Sequence, residues 1–273
     1  MKHLTLNNGV KIPIFGFGTY EISPDQTKEA VLSAFKDGYR LIDTAQYYQN
    51  EQQVGEAVHA SNLNRDEVFI TMKTMTDGYE ATKQGLDDSL NKSGLNYFDL
   101  VLIHWPMGHD LDTWRALEEA YKAGKTRAIG ISNFNSRQTL ELINHAEIRP
   151  MVDQIETHLL LQQWKMHEFL KKENIIHESY SPLGNGQQNL MTNLVLQKIG
   201  EKYGKSPIQV ILRYLVQNDI VTIPRSTNPA HIKANIDIFD FELDKEDLKR
   251  LRALDERKPI DGWPAEMRED EDY

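Results

Sequence analysis

Cysteine is absent from all 273 residues, which excludes disulfides, thiolate nucleophiles and Cys-ligated zinc or iron–sulfur centres. Such a chain suits a reducing compartment, and a cytoplasmic location is the expectation. No run of about 18 apolar residues occurs, so no membrane span is expected. The N-terminal MKHLTLNNGVKIPIF lacks the charged start, apolar run and small-residue cleavage site of a secretory signal. Positive charge is in short supply, with 31 Lys+Arg against 41 Asp+Glu and a net charge of −10. That balance argues against nucleic acid or an anionic membrane as the main partner. An anionic small molecule would need a local cluster of amides and basic side chains. A GxGxxG dinucleotide fingerprint is also missing; the early glycine pair, in FGFGTY, does not fit it.

What the chain does have is alternation. After a hairpin over Leu4–Ile14, turning at Asn8-Gly9, short apolar runs alternate with longer Glu/Lys-rich amphipathic stretches. Strands are expected at Phe15–Thr19, Arg40–Thr44, Val68–Lys73, Asp99–His104, Arg127–Ser132, Met151–Ile155, Ile175–Tyr180 and Ile220–Ile223. Helices are expected from Ser23-Pro24 onward and over Glu51–Ala60, Glu80–Ser93, Thr113–Ala123, Ser136–His145, Gln162–Lys172, Leu190–Tyr203 and Pro207–Asn218. Runs such as VFITM and LVLIH are apolar throughout, as strands buried on both faces must be. Eight β-α units imply a parallel sheet. Closure into a single (β/α)8 TIM barrel domain over residues 1–273 is the natural architecture, with an open doubly wound sheet as the alternative. A short C-terminal segment, about 256–273, is expected over the active-site face.

In such a barrel the reactive groups sit at the C-terminal ends of the strands. Asp43 ends the second strand, Tyr48 follows it, Lys73 ends the third and His104 the fourth. Singly, an Asp there is usually a turn residue, a Tyr packing, and a His a satisfied polar group. Lysine closing VFITM is odder, because a buried lysine must snorkel out or find a partner. Together they make carbonyl reduction available. A tyrosine hydroxyl can give the proton, a neighbouring ammonium favours its phenolate, an aspartate holds the lysine, and a histidine orients the carbonyl oxygen.

The segment GYRLIDTAQYYQNE resembles the signature of the aldo-keto reductase superfamily around its catalytic Asp and Tyr. VFITMK and DLVLIHWP resemble the stretches carrying the family's lysine and histidine. GKTRAIGISNF, VDQIE, YSPLG and IPRSTNP resemble its cofactor-binding segments, so the likeness runs from about Gly16 to Asn235. The bacterial diketogluconate- and methylglyoxal-reductase-like members are the nearest in character. The resemblance implies a catalytic set of Tyr48 as general acid, Asp43 and Lys73 as the pair tuning it, and His104 orienting the carbonyl. Ser132, Asn133 and Gln154 would hold a nicotinamide carboxamide, and Tyr180 would stack on the ring. Ser181, Leu183, Ile223 and Asn235 would line the dinucleotide. Family members bind it without a Rossmann fold, which accounts for the missing fingerprint. Thr19 and Tyr20 either line this site or form an ordinary strand-end turn.

IPRSTNP also has a mechanism of its own. Asn228-Pro229 reads as the cap and first residue of a short helix after the eighth strand, a phosphate-binding arrangement. Arg225, Ser226, Thr227 and Asn228 supply donors there. The chain departs from the family pattern by carrying Arg225 for Lys, His231 for Arg and Ala234 for Glu. Arg225 still suits a 2′-phosphate, while histidine is a weaker anion partner. NADPH is therefore the expected cofactor, with NADH possible, and no metal is expected. Tyr20, Tyr47, Met75, His104, Trp105 and Trp263 are expected to line a pocket for small aldehydes, ketones or diketones. A monomer is expected.

Two rivals remain in view. One is a catalytically weak, nucleotide-sensing regulatory protein on the same fold. The other is a metal-dependent barrel enzyme using His104, His109 and His158, whose spacing matches no compact ligand motif.

Overall fold

The computed structural model describes residues 1–186 and 188–261. A hairpin of β1 (His3–Thr5) and β2 (Lys11–Pro13) precedes eight parallel strands. These are β3 (Phe17–Gly18), β4 (Leu41–Asp43), β5 (Phe69–Thr74), β6 (Leu100–Ile103), β7 (Ile129–Ser132), β8 (Val152–Glu156), β9 (Ile176–Tyr180) and β10 (Val221–Thr222). They pair in chain order from β3 to β10. Closure comes from the parallel bridge of Phe15 to Thr222, with Gly16 N donating to Thr222 O at 2.9 Å and Thr222 N to Ile14 O at 3.1 Å. The barrel expectation holds, and the open sheet does not.

The hairpin turns at Gly9, whose φ of +88° is costly for a residue with a Cβ. It plugs the end of the barrel where strands begin: Asn7 Nδ2 donates to Pro150 O (2.9 Å) and Asn8 Nδ2 to Arg127 O (3.0 Å), just ahead of β8 and β7. At the same end the buried carboxylate of Asp99 takes Arg65 and Arg127, each at 2.7 Å, and the backbone N–H of Ile70 at 2.9 Å. The opposite end is left for the site.

The helices are α1 (Pro24–Lys36), α2 (Glu51–Ala60), α3 (Tyr79–Ser93), α4 (Asp110–Lys122), α5 (Ser136–His145), α6 (Trp164–Lys172), α7 (Gln188–Met191), α8 (Leu194–Tyr203), α9 (Pro207–Gln217), α10 (Pro229–Ile236) and α11 (Lys245–Arg252). Apart from element ends shifted by one or two residues and short 3-10 turns, sequence expectation and structure part in three places. The helix expected over Leu190–Tyr203 is split, because the Asn193 side chain accepts from Val195 N and Leu196 N and starts α8 afresh. Helix α4 begins three residues earlier than expected, at Asp110. Helix α11, opened by an Asp244 cap, had not been anticipated. Among the described residues no helix is long and apolar enough to cross a membrane. The expected Trp263 contact and the end of the C-terminal segment lie outside the described residues.

Helix α2 crosses α3 at Gly55, where an added Cβ would meet the Ser93 carbonyl oxygen at 1.8 Å. Gly55→Ala is expected to destabilise the fold by about 1–3 kcal/mol, read as a lower urea midpoint. An unchanged midpoint would mean that the two helices part without loss.

Candidate active site

The strand ends β3 to β10 surround a cavity of about 910 Å³. Asp43, from β4, lines it and pairs through Oδ1 with Lys73 Nζ, from β5; both side chains are buried. Gln154 Nε2, from β8, donates to Asp43 Oδ2 at 2.9 Å. Since β4 and β8 are separated by three strands, that bond crosses the barrel interior. Tyr48 sits on a short 3-10 turn after β4, with the Lys73 ammonium 5.0 Å from its ring centre. His104, after β6, faces it at 5.7 Å between rings and stacks on Trp105 at 5.3 Å. The four residues expected to carry the chemistry therefore converge.

Their proton states follow from burial. His104 is held down to about 2 by desolvation, with the Lys73 charge adding to it, so its ring is neutral. Its Nδ1 is buried without a partner. With its proton on Nε2, the neutral ring is a hydrogen-bond donor. Tyr48 is pushed well above the ordinary phenol range, first by desolvation and then by the Asp43 carboxylate. Burial dominates, and the Lys73 ammonium nearby is already paired with Asp43. The phenol thus stays protonated over the whole neutral range.

A chain of hydrogen bonds runs from the cavity wall to the ion pair. Tyr180 Oη donates to Asn133 Oδ1 (3.0 Å), and Asn133 Nδ2 to His104 O (2.9 Å) and Ser132 Oγ (3.1 Å). Ser132 Oγ donates in turn to Gln154 O at 2.7 Å. Asn133 takes φ +66°, a left-handed turn that Asn tolerates, aiming its amide inward from the end of β7. One lone pair of Asn133 Oδ1 remains for an incoming amide N–H, with the Ser132 oxygen beside it, so a carboxamide fits this wall.

Of the other expected residues, Tyr20, Tyr47, Trp105, Ser181, Leu183, Ile223 and Arg225 line the cavity. Thr19 is buried, its hydroxyl donating to Asp43 O at 2.9 Å, and it does not line the cavity. Met75 is outside the lining as well, its N–H donating to Gln46 Oε1. Ser226, Thr227, Asn228 and His231 lie beyond the rim at the start of α10, where Asn228 Oδ1 accepts from Ala230 N at 2.9 Å. Asn235 is buried in α10. His109 pairs with Asp77 on the surface and His158 with Glu156 in the interior, apart from His104. Among the described residues no three His, Asp or Glu gather as a metal site.

Sequence reasoning missed Glu178, Asp261 and Glu21. Glu178 lies beside Gln154 in register, and burial and Asp43 push it up to about 8; an acid inside the strand IHESY was the available signal. Asp261 reaches the cavity and takes Ser181 Oγ and Asn185 Nδ2.

A model of the aldo/keto reductase family matches residues 14–256. The chain belongs to that family. It is an oxidoreductase by that membership, and the fold and recognition read from its motifs stand. It is 46% identical over 267 residues to the glyoxal reductase of Bacillus subtilis (strain 168), covering 96% of each chain. To methylglyoxal reductase DkgA of Escherichia coli (strain K12) it is 36% identical over 267 residues, covering 97% of each. The crystal structure of a Bombyx mori aldo-keto reductase in complex with NADP superposes with a TM-score of 0.89 at 33% identity, covering 95% of this chain and 94% of that one.

His104 also makes stability pH-dependent. It is neutral when folded and ordinary when unfolded, so its contribution is complete above about 6.5 and is lost as pH falls toward 2. From pH 7 to 5 that is about 2 kcal/mol, to be read as a falling urea midpoint. His104→Gln should lose this share of the acid dependence; an equally steep fall in the variant would contradict it.

Proposed function

We propose that this aldo-keto reductase uses NADPH to reduce small aldehydes and ketones, dicarbonyls of the glyoxal and methylglyoxal kind among them, with Tyr48 as general acid. The observation that carries the proposal is the pairing of two neutral donors, Tyr48 and His104, above a buried Lys73–Asp43 pair at one end of the barrel. The names of the two relatives and the NADP complex of the third support it.

When bound, the dinucleotide would supply hydride to the carbonyl carbon. Everything else falls to side chains of this chain. His104 donates one hydrogen bond to the carbonyl oxygen and fixes which way it points. Tyr48 gives its proton to that oxygen as negative charge develops there. The phenolate left behind lies beside the Lys73 ammonium, which stabilises it. Tyr180, Asn133, Ser132 and Gln154 would hold the nicotinamide end, and Arg225 the adenosine phosphate. Arg225 favours NADPH; with His231 in place of an arginine, NADH serves as a weaker alternative. Tyr20, Tyr47 and Trp105 form an aromatic rim suited to compact, weakly polar carbonyls. All of these groups belong to one barrel domain.

Tyr48→Phe removes the proton and keeps the ring. Its kcat with NADPH and methylglyoxal, followed by cofactor absorbance, is expected to fall about 10²-fold or more, with NADPH affinity little changed. Near wild-type kcat in the variant would remove Tyr48 from the acid's role. Tight NADPH binding with no carbonyl consumed by wild type would favour a nucleotide sensor instead.

A further inference from the structure

At the rim of the cavity Arg225, assigned above to the adenosine phosphate, stands in a charge pair whose other member, Glu21, has no part in the proposed reaction. Arg225 Nη2, just past β10, donates to Glu21 Oε2 in the turn after β3. Both residues line the cavity, and Arg225 is the one Lys or Arg among the described lining residues, beside the carboxylates of Glu21, Asp43 and Asp261. The cavity's cation is thus already engaged.

The pairing is built into the backbone. Gly18 N donates to Pro224 O at 3.1 Å, and a Cβ on Gly18 would stand only 3.1 Å from Ile223 O. Glycine therefore lets the end of β3 lie against the end of β10. The turn itself is clamped by Ile22 N to Thr19 O (3.1 Å) and by the buried Asn50, whose Nδ2 donates to Thr19 O (2.9 Å) and Ile22 O (3.1 Å). Within that clamp Glu21 takes φ +54°, unusual for a glutamate. Stability does not account for the pair: its side chains are 40% and 56% exposed, and exposed pairs contribute little.

We propose that Glu21 is a cofactor-discriminating residue, competing with the adenosine 2′-phosphate for the Arg225 guanidinium and so narrowing the preference for NADPH over NADH. The proposal rests on the cofactor assignment of the preceding section. An anion that takes Arg225 must break or share the bond to Glu21 and tolerate its charge nearby. NADPH presents an extra phosphate dianion to that charge, and NADH does not. The carboxylate therefore penalises the phosphorylated cofactor more.

The test is dinucleotide binding by quenching of tryptophan fluorescence, for wild type, Glu21→Gln, Arg225→Gln and the double variant. In Glu21→Gln the NADPH Kd is expected to fall about tenfold and the NADH Kd less than about threefold, with the difference shrinking at high salt. In the Arg225→Gln background the same change is expected to give no such gain, and thermal unfolding should be unmoved by Glu21→Gln. Unchanged Kd values, equal tightening of both cofactors, or a gain that persists without Arg225 would each overturn the proposal. Binding of neither dinucleotide to any of the four proteins would overturn the cofactor assignment itself, and the proposal with it.

Discussion

A lysine ammonium and an aspartate carboxylate inside a barrel of apolar strands each cost several kcal/mol to remove from water. The surroundings of Lys73 and Asp43 offset that cost. Each is the other's counter-ion, and Gln154 reaches across the barrel to the second Asp43 oxygen. Ser132, Asn133 and Tyr180 extend the same hydrogen-bond chain to the cavity wall. The pair's position dictates the rest: Tyr48 is placed over the ammonium, and His104 is discharged by burial beside it. A buried pair with several satisfied partners gives little net stability but holds its geometry, and proton transfer requires geometry.

The parts of the fold legible in the sequence were those where one physical constraint acts alone. Strands buried on both faces must be apolar throughout, so VFITM and LVLIH announced β5 and β6. Asn228-Pro229 announced α10, because a side-chain cap and a fixed φ leave little else for that dipeptide to do. Helix α11 escaped because LDKEDLKRLR is so charged that its apolar stripe shrinks to Leu248 and Leu251, although Asp244 is an ordinary cap. The α7–α8 break escaped because Thr192–Asn193 interrupts an otherwise plausible helical pattern, and capping by Asn193 is decided by geometry.

The site divides in the same way. Asp43, Tyr48, Lys73 and His104 were legible because each falls at a strand end and their chemistry is complementary. Thr19 was left between cofactor site and strand-end turn, since sequence position cannot say whether a strand-end hydroxyl faces the cavity or the Asp43 carbonyl. Glu178 was only half legible, as an acid inside the strand IHESY, for a related reason. Its burial beside Gln154 depends on β8–β9 register, which no local pattern states. Glu21 and Arg225 are 204 positions apart, and only closure of β3 on β10 brings them together.

The two halves of the cavity are governed by opposite electrostatics. Around Tyr48 the charges are buried, paired and hydrogen-bonded, so their field is set before any substrate arrives and hardly depends on salt. At the Arg225 rim the charges are half exposed, screened within about 8 Å at physiological ionic strength, and exchangeable. For a chain of net charge −10, the proposed binding of an anionic dinucleotide requires attraction concentrated locally. This one supplies it with a single guanidinium among the described lining residues, and sets a carboxylate against it. The proposed proton transfer demands a rigid field and the proposed cofactor exchange a yielding one. The barrel serves both because its strand ends reach from the dry interior to the solvent within one mouth.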